Sequence, residues 1–278
     1  MVSIVALLSR AAERIDSLLP LSLVPFVLAA LSLDKFRRIA ASNADFRFGI
    51  TFGFPTTVSS SWEFINVPQP TPGLTLPAGG VGLTVLVLLA VTVLSAALGA
   101  GYLGSLRREL AGVERSFLED SRAYFGPFLG FELLHLALVL AGLLAAIVAL
   151  PLGLLVLPLL LAFAYLFYAT PYLVVVEETD LPSALRRSYE YATSDGEYAS
   201  FFVQYLVSVG LVSVVATPLF SNSVLGAAVG VVVLAPVALL FDTATMLFVR
   251  DLAGATGREG PTASGTDPGG QSNMPVET

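Results

Sequence analysis

Cysteine is absent from the chain, which excludes disulfides, iron–sulfur clusters and thiolate metal sites. Charge is scarce as well: Asp, Glu, Lys and Arg make up 13% of 278 residues against 55% hydrophobic, and the mean hydropathy is +0.82. So few polar groups cannot coat a soluble globule of this length, and lipid is the solvent that fits. Lysine and histidine occur once each, at Lys35 and His135. With 14 basic against 21 acidic residues the formal net charge is −7, which argues against nucleic acid as a partner, because phosphate binding needs a basic patch.

The longest apolar stretch runs from Pro127 to Val176 and holds only Glu132 and His135 as groups that ionise below about pH 9. At about 1.5 Å of rise per residue it is too long for one crossing of a hydrocarbon core about 30 Å thick, and it fits two. Pro151 and Gly153 near its middle predict a tight helical hairpin, Pro127 to Leu150 and Leu152 to Val176. Four more crossings are read at Leu18 to Leu33, where Pro20 and Pro25 kink the start, and at Val81 to Leu103, Ser200 to Phe220 and Val224 to Val249. Small residues four apart (Ala97, Gly101 and Ser105; Ala137, Ala141, Ala145 and Ala149; Gly226 and Gly230) give faces on which helices approach closely. Thr170 before Pro171 marks a break and restart, with Thr170 as cap and Pro171 at the first helical position.

Amphipathic stretches border the crossings. Ile4, Leu8, Ala11, Ile15 and Leu18 share one face over the first turns of the chain, Met1 to Ser17. Leu106, Leu110, Val113, Phe117 and Tyr124 do so over Ser105 to Tyr124, which Gly126 and Pro127 stop. A third surface helix is capped by Asp180, striped by Leu181, Leu185 and Tyr189, and carries Arg186 and Glu190 at pairing distance. The expected fold class is all-α integral membrane: six transmembrane helices as three hairpins, with cytoplasmic amphipathic helices, in one polytopic domain over residues 1–252. Gly, Ser, Thr and Pro dominate residues 253–278, which read as a disordered cytoplasmic tail.

Residues 34–80 form the one sizeable polar insertion and are placed outside. Within it Phe46, Phe48, Ile50, Phe52 and Phe54 alternate with Asp45, Arg47, Gly49, Thr51 and Gly53, the period of a strand with one aromatic face. Trp62, Phe64 and Val67 supply a second strand, and the expected result is a small external β-like insertion that caps the helices as a lid, a reading preferred to a ligand or partner platform because no convergent polar site marks it. Ten basic residues on the side of the N-terminus against Lys35, Arg37, Arg38 and Arg47 on the other place both termini in the cytoplasm of a cell-membrane protein. Surface helix, crossing and return crossing recur three times, from Met1, Ser105 and Asp180, an internal repeat at the level of hydropathy.

The stretch from Pro171 through Val174, Val175, Val176, Glu177, Glu178 and Asp180 to Ala184, Leu185, Arg186, Arg187 and Ser188 resembles a segment of uncharacterised haloarchaeal six-helix membrane proteins. It is similar, more distantly, to the membrane domain fused to bacterial glycerophosphodiester phosphodiesterases. The resemblance covers about 18 residues and implies membrane location and topology; the hydrolase chemistry is not carried over, because no phosphodiesterase domain is present. The scarcity of lysine under an acidic balance is similar to the bias of salt-loving archaea.

Asp242 is the outstanding intramembrane polar residue, and Gln204, Tyr165, Tyr168, Thr243 and Thr245 are its candidate hydrogen-bond partners. It reads either as a structural bond that fixes helix register or as a cation or proton site. Glu132 and His135, at i and i+3, have the spacing of a di-metal carboxylate site, but no second Glu-x-x-His exists, and an interfacial pair is preferred to a metal site. No nucleophile, base and orienter set, metal-ligand set or phosphate loop is readable, so no catalytic residue, metal or cofactor is assigned and the chain is not read as an enzyme. The leading function is a membrane-embedded scaffold or accessory subunit that binds membrane lipid and other membrane proteins. The alternative is a small-solute, ion or lipid transporter with an intramembrane carboxylate.

Overall fold

The computed structural model describes residues 3–42, 48–68, 80–194 and 196–258. Ile4–Ala12 (α1) and Ile15–Leu18 (α2) lead into a 3-10 turn at Leu19–Ser22 that accommodates Pro20. Leu23–Leu31 (α3) and Leu33–Ala40 (α4) follow. Then come Gly80–Leu110 (α5), Phe117–Val148 (α6), Leu150–Phe167 (α7), Thr170–Val176 (α8), Leu181–Ser194 (α9), Gly196–Phe220 (α10) and Val224–Arg258 (α11). Among the described residues, five helical stretches are long and apolar enough to cross a bilayer: Gly82–Leu110, Phe117–Val148, Pro158–Val176, Gly196–Phe220 and Val224–Gly254. Ile4–Ala12 and Ile15–Leu31 form a pair bent by 71°, which makes a sixth only if it is counted as one span. The chain is a multi-pass, all-α membrane protein.

Ion pairs gather at one end of the bundle. Arg107 meets Glu178 at 2.5 Å, Arg187 meets Glu177 at 3.5 Å, Arg108 meets Asp120 at 2.8 Å and Arg10 meets Asp251 at 2.9 Å. These contacts bring the last turn of α5 against the first turn of α6 and the residues that follow α8, tie those residues to the middle of α9, and join α1 to α11. Close helix approach builds the α5–α6 pair: a Cβ on Gly104 would stand 2.5 Å from the Asp120 Cβ, so only glycine lets the Arg108–Asp120 bridge form there.

The elements depart from the sequence expectations in several places. Ser105 to Tyr124 is no separate surface helix: Ser105–Leu110 completes α5, Gly112 turns the chain at φ +71°, and Phe117 onward already belongs to α6. Pro127 lies inside α6 and does not stop it, since one lost backbone bond is tolerated where neighbouring helices hold the segment. The repeated order of surface helix, crossing and return is therefore absent from Ser105–Val176. The break of the central hairpin falls on Ala149, extended at φ −155°, and Pro151 sits in the first turn of α7, where a missing N–H leaves nothing unsatisfied. The chain does restart at Thr170 with Pro171 in the first turn, but the cap position is Ala169 and the Thr170 hydroxyl makes no hydrogen bond. On α9 the buried residues are Ala184, Ser188, Tyr191 and Ala192, while Tyr189 is half exposed, because the small Ala184 and Ser188 let α9 close on the neighbouring helix, with the Ser188 hydroxyl donating to the Leu166 carbonyl at 2.7 Å. Of the expected tail, Ala253 to Arg258 continue α11, and the rest lies outside the described residues.

The largest departure concerns the insertion. Residues 43–47 and 69–79 lie outside the described residues, and among the described residues there is no strand. From Phe48 the chain runs into the bundle and back. The Thr51 N–H donates to the Ser213 hydroxyl at 2.9 Å, the Ser59 hydroxyl meets that of Tyr205 at 3.0 Å, and the Asn66 N–H donates to the Thr217 hydroxyl at 2.9 Å. Along α10 these contacts step from Ser213 to Tyr205 and return, a descent of about 12 Å at the helical rise. The aromatic face is split: Phe48, Ile50 and Phe52 keep exposed surface, with Ile50 and Phe52 beside Gly210 of α10, whereas Phe54 is half-buried and stacks on Phe202 at 5.8 Å, and Gly53 is buried against Val209 and Glu63. Serine and threonine side chains of the helices replace the missing partner strand as acceptors for backbone N–H groups.

Candidate functional site

Asp242 is wholly buried on α11, about 27 Å along the helix from Val224. An unpaired carboxylate at that depth is expensive, so its partners decide the local structure. The Ser59 N–H donates to both of its oxygens at 3.1 Å, the Tyr102 hydroxyl donates to Oδ2 at 2.8 Å, and the Tyr172 hydroxyl lies 3.4 Å from Oδ1. Tyr172 also donates to the Thr56 carbonyl at 3.0 Å. Helices α5, α8 and α11 thus converge on the tip of the inserted segment, with α10 reaching it through Tyr205. The segment is a plug, and Asp242 is its anchor.

A second set of groups holds the plug in shape. Ser60 and Glu63 cap a 3-10 turn at Ser61–Glu63: the Ser60 N–H donates to Glu63 Oε1 at 3.0 Å, and the Thr56 hydroxyl donates to the same oxygen at 3.2 Å. The Ser61 hydroxyl donates to the Val231 carbonyl at 2.9 Å, and the Trp62 indole N–H to the Ala29 carbonyl at 2.8 Å. Glu63 Oε2 is shut off from solvent and accepts no hydrogen bond. Burial pushes the Glu63 carboxyl above the usual carboxylate range, and the nearby Asp242 charge adds to that, against the lowering effect of the Ser60 and Thr56 bonds. Lys35 stands over the Trp62 ring, 5.5 Å from its centroid, and burial holds its ammonium below the ordinary value.

The other residues singled out in the sequence direct their hydrogen bonds elsewhere than to Asp242. Gln204 accepts the Ile4 N–H at 2.9 Å and donates to the Ser200 hydroxyl at 3.0 Å, which ties α1 to α10. Tyr165 donates to the Ala192 carbonyl at 3.0 Å, and Tyr168 to the Tyr198 carbonyl at 3.4 Å. Thr243 and Thr245 bond back to the carbonyls of Leu239 and Phe241 in their own helix. The partners that do reach Asp242 are Ser59, Tyr102 and Tyr172; a tyrosine at position 102, amid alanine, glycine and leucine, was the one signal available for them.

Glu132 and His135 do share a space. They line a cavity of about 520 Å³ between α6, α7 and the plug, together with Glu63, Phe163 and Tyr168. The His135 ring lies 6.0 Å from that of Phe163. Among the described residues, no group of three His, Cys, Asp or Glu side chains is placed to hold a metal ion. Comparison with protein-family models, with curated proteins and with solved structures returned no match.

Proposed function

We propose that the protein is a membrane-embedded scaffold or accessory subunit, without catalytic activity of its own, that associates with lipid and with other membrane proteins, both termini lying in the cytoplasm. The observation that carries this reading is the closure at Asp242: a carboxylate that served a moving cation or proton would need an open path and a free coordination position, whereas both of its oxygens accept hydrogen bonds from the plug and the helices. Outer grooves add support. One, of about 430 Å³, runs between Leu21, Val24 and Val27 on one side and Leu98 and Phe117 on the other, with Arg115 beside it. The excess of arginine at the ion-paired end supports the cytoplasmic placement of that end, and the resemblance of Pro171 to Ser188 to other six-helix membrane proteins fits the same plan.

The side cavity favours a second reading, a permease for a small solute, ion or lipid, because it places two carboxyl groups in a space large enough for a ligand. Purification in mild detergent, with mass spectrometry of whatever remains at fixed stoichiometry, and cation flux in proteoliposomes separate the two. A stoichiometric protein or lipid with no flux above protein-free vesicles agrees with the scaffold. Protein-dependent flux that Asp242→Asn abolishes overturns it.

A further inference from the structure

The cavity beside the plug has a composition that neither helix packing nor a lipid tail explains. Its polar lining includes the carboxyl groups of Glu63 and Glu132, and among the described residues no lysine or arginine contributes to it. Lys35 acts on Glu63 electrostatically from outside the lining, where it stands over Trp62. The walls are aromatic: Phe131 stacks on Phe163 at 6.0 Å, Phe163 lies 5.1 Å from Phe167, and Phe54 and Tyr168 close the inner side. Glu63 Oε2, held in place by the bonds that Oε1 makes to Ser60 and Thr56, is an acceptor with no donor. At the mouth His135 is exposed beside Val139 and Leu161, apolar side chains on the outer surface of spanning helices, so the cavity opens sideways to lipid.

We propose that this cavity binds a lipophilic organic cation, a molecule with a hydrophobic body and one positive charge, which enters from the bilayer. Its charge lies against Glu63 and Glu132 and over the faces of Phe163 and Tyr168, and its body fills the apolar remainder. An uncharged lipid tail would fill the volume but would leave two carboxyl groups buried against hydrocarbon, a cost that a cation removes. The inference stands independently of the scaffold reading, since the Asp242 network and the cavity are separate sets of residues apart from Thr56, whose carbonyl serves the first and whose hydroxyl serves Glu63.

The test uses the purified full chain and radiolabelled tetraphenylphosphonium, with triphenylphosphine oxide as the neutral analogue and tetraphenylborate as the anion. Saturable binding of one cation per chain is expected, at least tenfold tighter than the neutral analogue, with no saturable binding of the anion. Glu132→Gln and Glu63→Gln are each expected to weaken it at least tenfold, Phe163→Ala several-fold, and Glu190→Gln on exposed α9 not at all. Trp62 emission reports whether the plug is still seated in each variant. If Glu63→Gln unseats it, Glu132→Gln decides alone, because Glu132 lies on α6, outside the plug. Absence of saturable binding overturns the proposal. So does equal affinity for the neutral analogue with no effect of either glutamine variant, which makes the space a slot for an acyl chain. Binding accompanied by uptake into proteoliposomes keeps the site and overturns the scaffold reading; absence of binding removes the site and leaves that reading standing.

Discussion

Asp242→Ala isolates the contribution of the anchor. The substitution leaves the Ser59 N–H and the Tyr102 hydroxyl buried without an acceptor, and each such donor costs about 1 to 3 kcal/mol. The Tyr172 hydroxyl keeps the Thr56 carbonyl, so its loss is small. The sum is about 2 to 6 kcal/mol, and at about 2 to 4 °C per kcal/mol the unfolding midpoint in detergent falls by at least about 4 °C. The assay is already in the chain: Trp62, its single tryptophan, belongs to the plug, is 3% exposed and is hydrogen-bonded to the Ala29 carbonyl on α3. Its emission is expected to shift to longer wavelength on heating at a lower temperature in Asp242→Ala than in the parent. Asp242→Asn is expected to be milder, because the amide keeps one acceptor for Ser59 and the Tyr102 hydroxyl can turn to accept from the new N–H group. An Asp242→Ala protein with the parent's midpoint and the parent's emission maximum would refute the anchoring argument.

Further expectations follow from the same contacts. Arg108→Gln leaves Asp120, 2% exposed, without its cation, and is expected to cost about 3 kcal/mol, the low end for a broken buried pair because a third of Arg108 is open to solvent; chemical denaturation in mixed micelles measures it. Gly104→Val forces α5 away from α6, since even its Cβ would stand 2.5 Å from that of Asp120, and size-exclusion chromatography is expected to show aggregation in place of a single peak. Arg186→Ala removes an i,i+4 pair whose side chains are 82% and 48% exposed, and its midpoint is expected within about 2 °C of the parent, since such pairs contribute about 0.3 to 0.5 kcal/mol.

Membrane character was legible because it rests on run length and hydropathy, which need no tertiary context. The restart at Thr170 and Pro171 and the placement of α10 and α11 followed from apolar length and proline position alone. The boundaries went astray where packing overrode local chemistry: Pro127 stays inside α6, and Ser105 to Tyr124, amphipathic by spacing, is divided between two spanning helices. The insertion was misread for a physical reason. Period-two alternation reports that a chain is extended with two unlike faces, and says nothing about which face meets lipid or what accepts the backbone N–H groups; here those acceptors are Ser213, Thr217 and Asp242, on helices more than 150 residues away. The importance of Asp242 was visible as a lone carboxylate in an apolar run, but its partners depend on three-dimensional convergence that no spacing encodes.

The most direct measurement exploits the absence of cysteine. Ser59→Cys keeps the backbone N–H that binds Asp242 and places one thiol at the plug tip, while Ala111→Cys and Ser223→Cys place exposed thiols in the turns after α5 and α10. In intact membranes a membrane-impermeant maleimide is expected to label Ala111→Cys from one side only and Ser223→Cys from the other only. It should leave Ser59→Cys unmodified from both sides until the protein is denatured. Labelling of Ser59→Cys at the rate of Ser223→Cys would mean that the segment is an external loop, and the account of a plug locked on Asp242 would be contradicted.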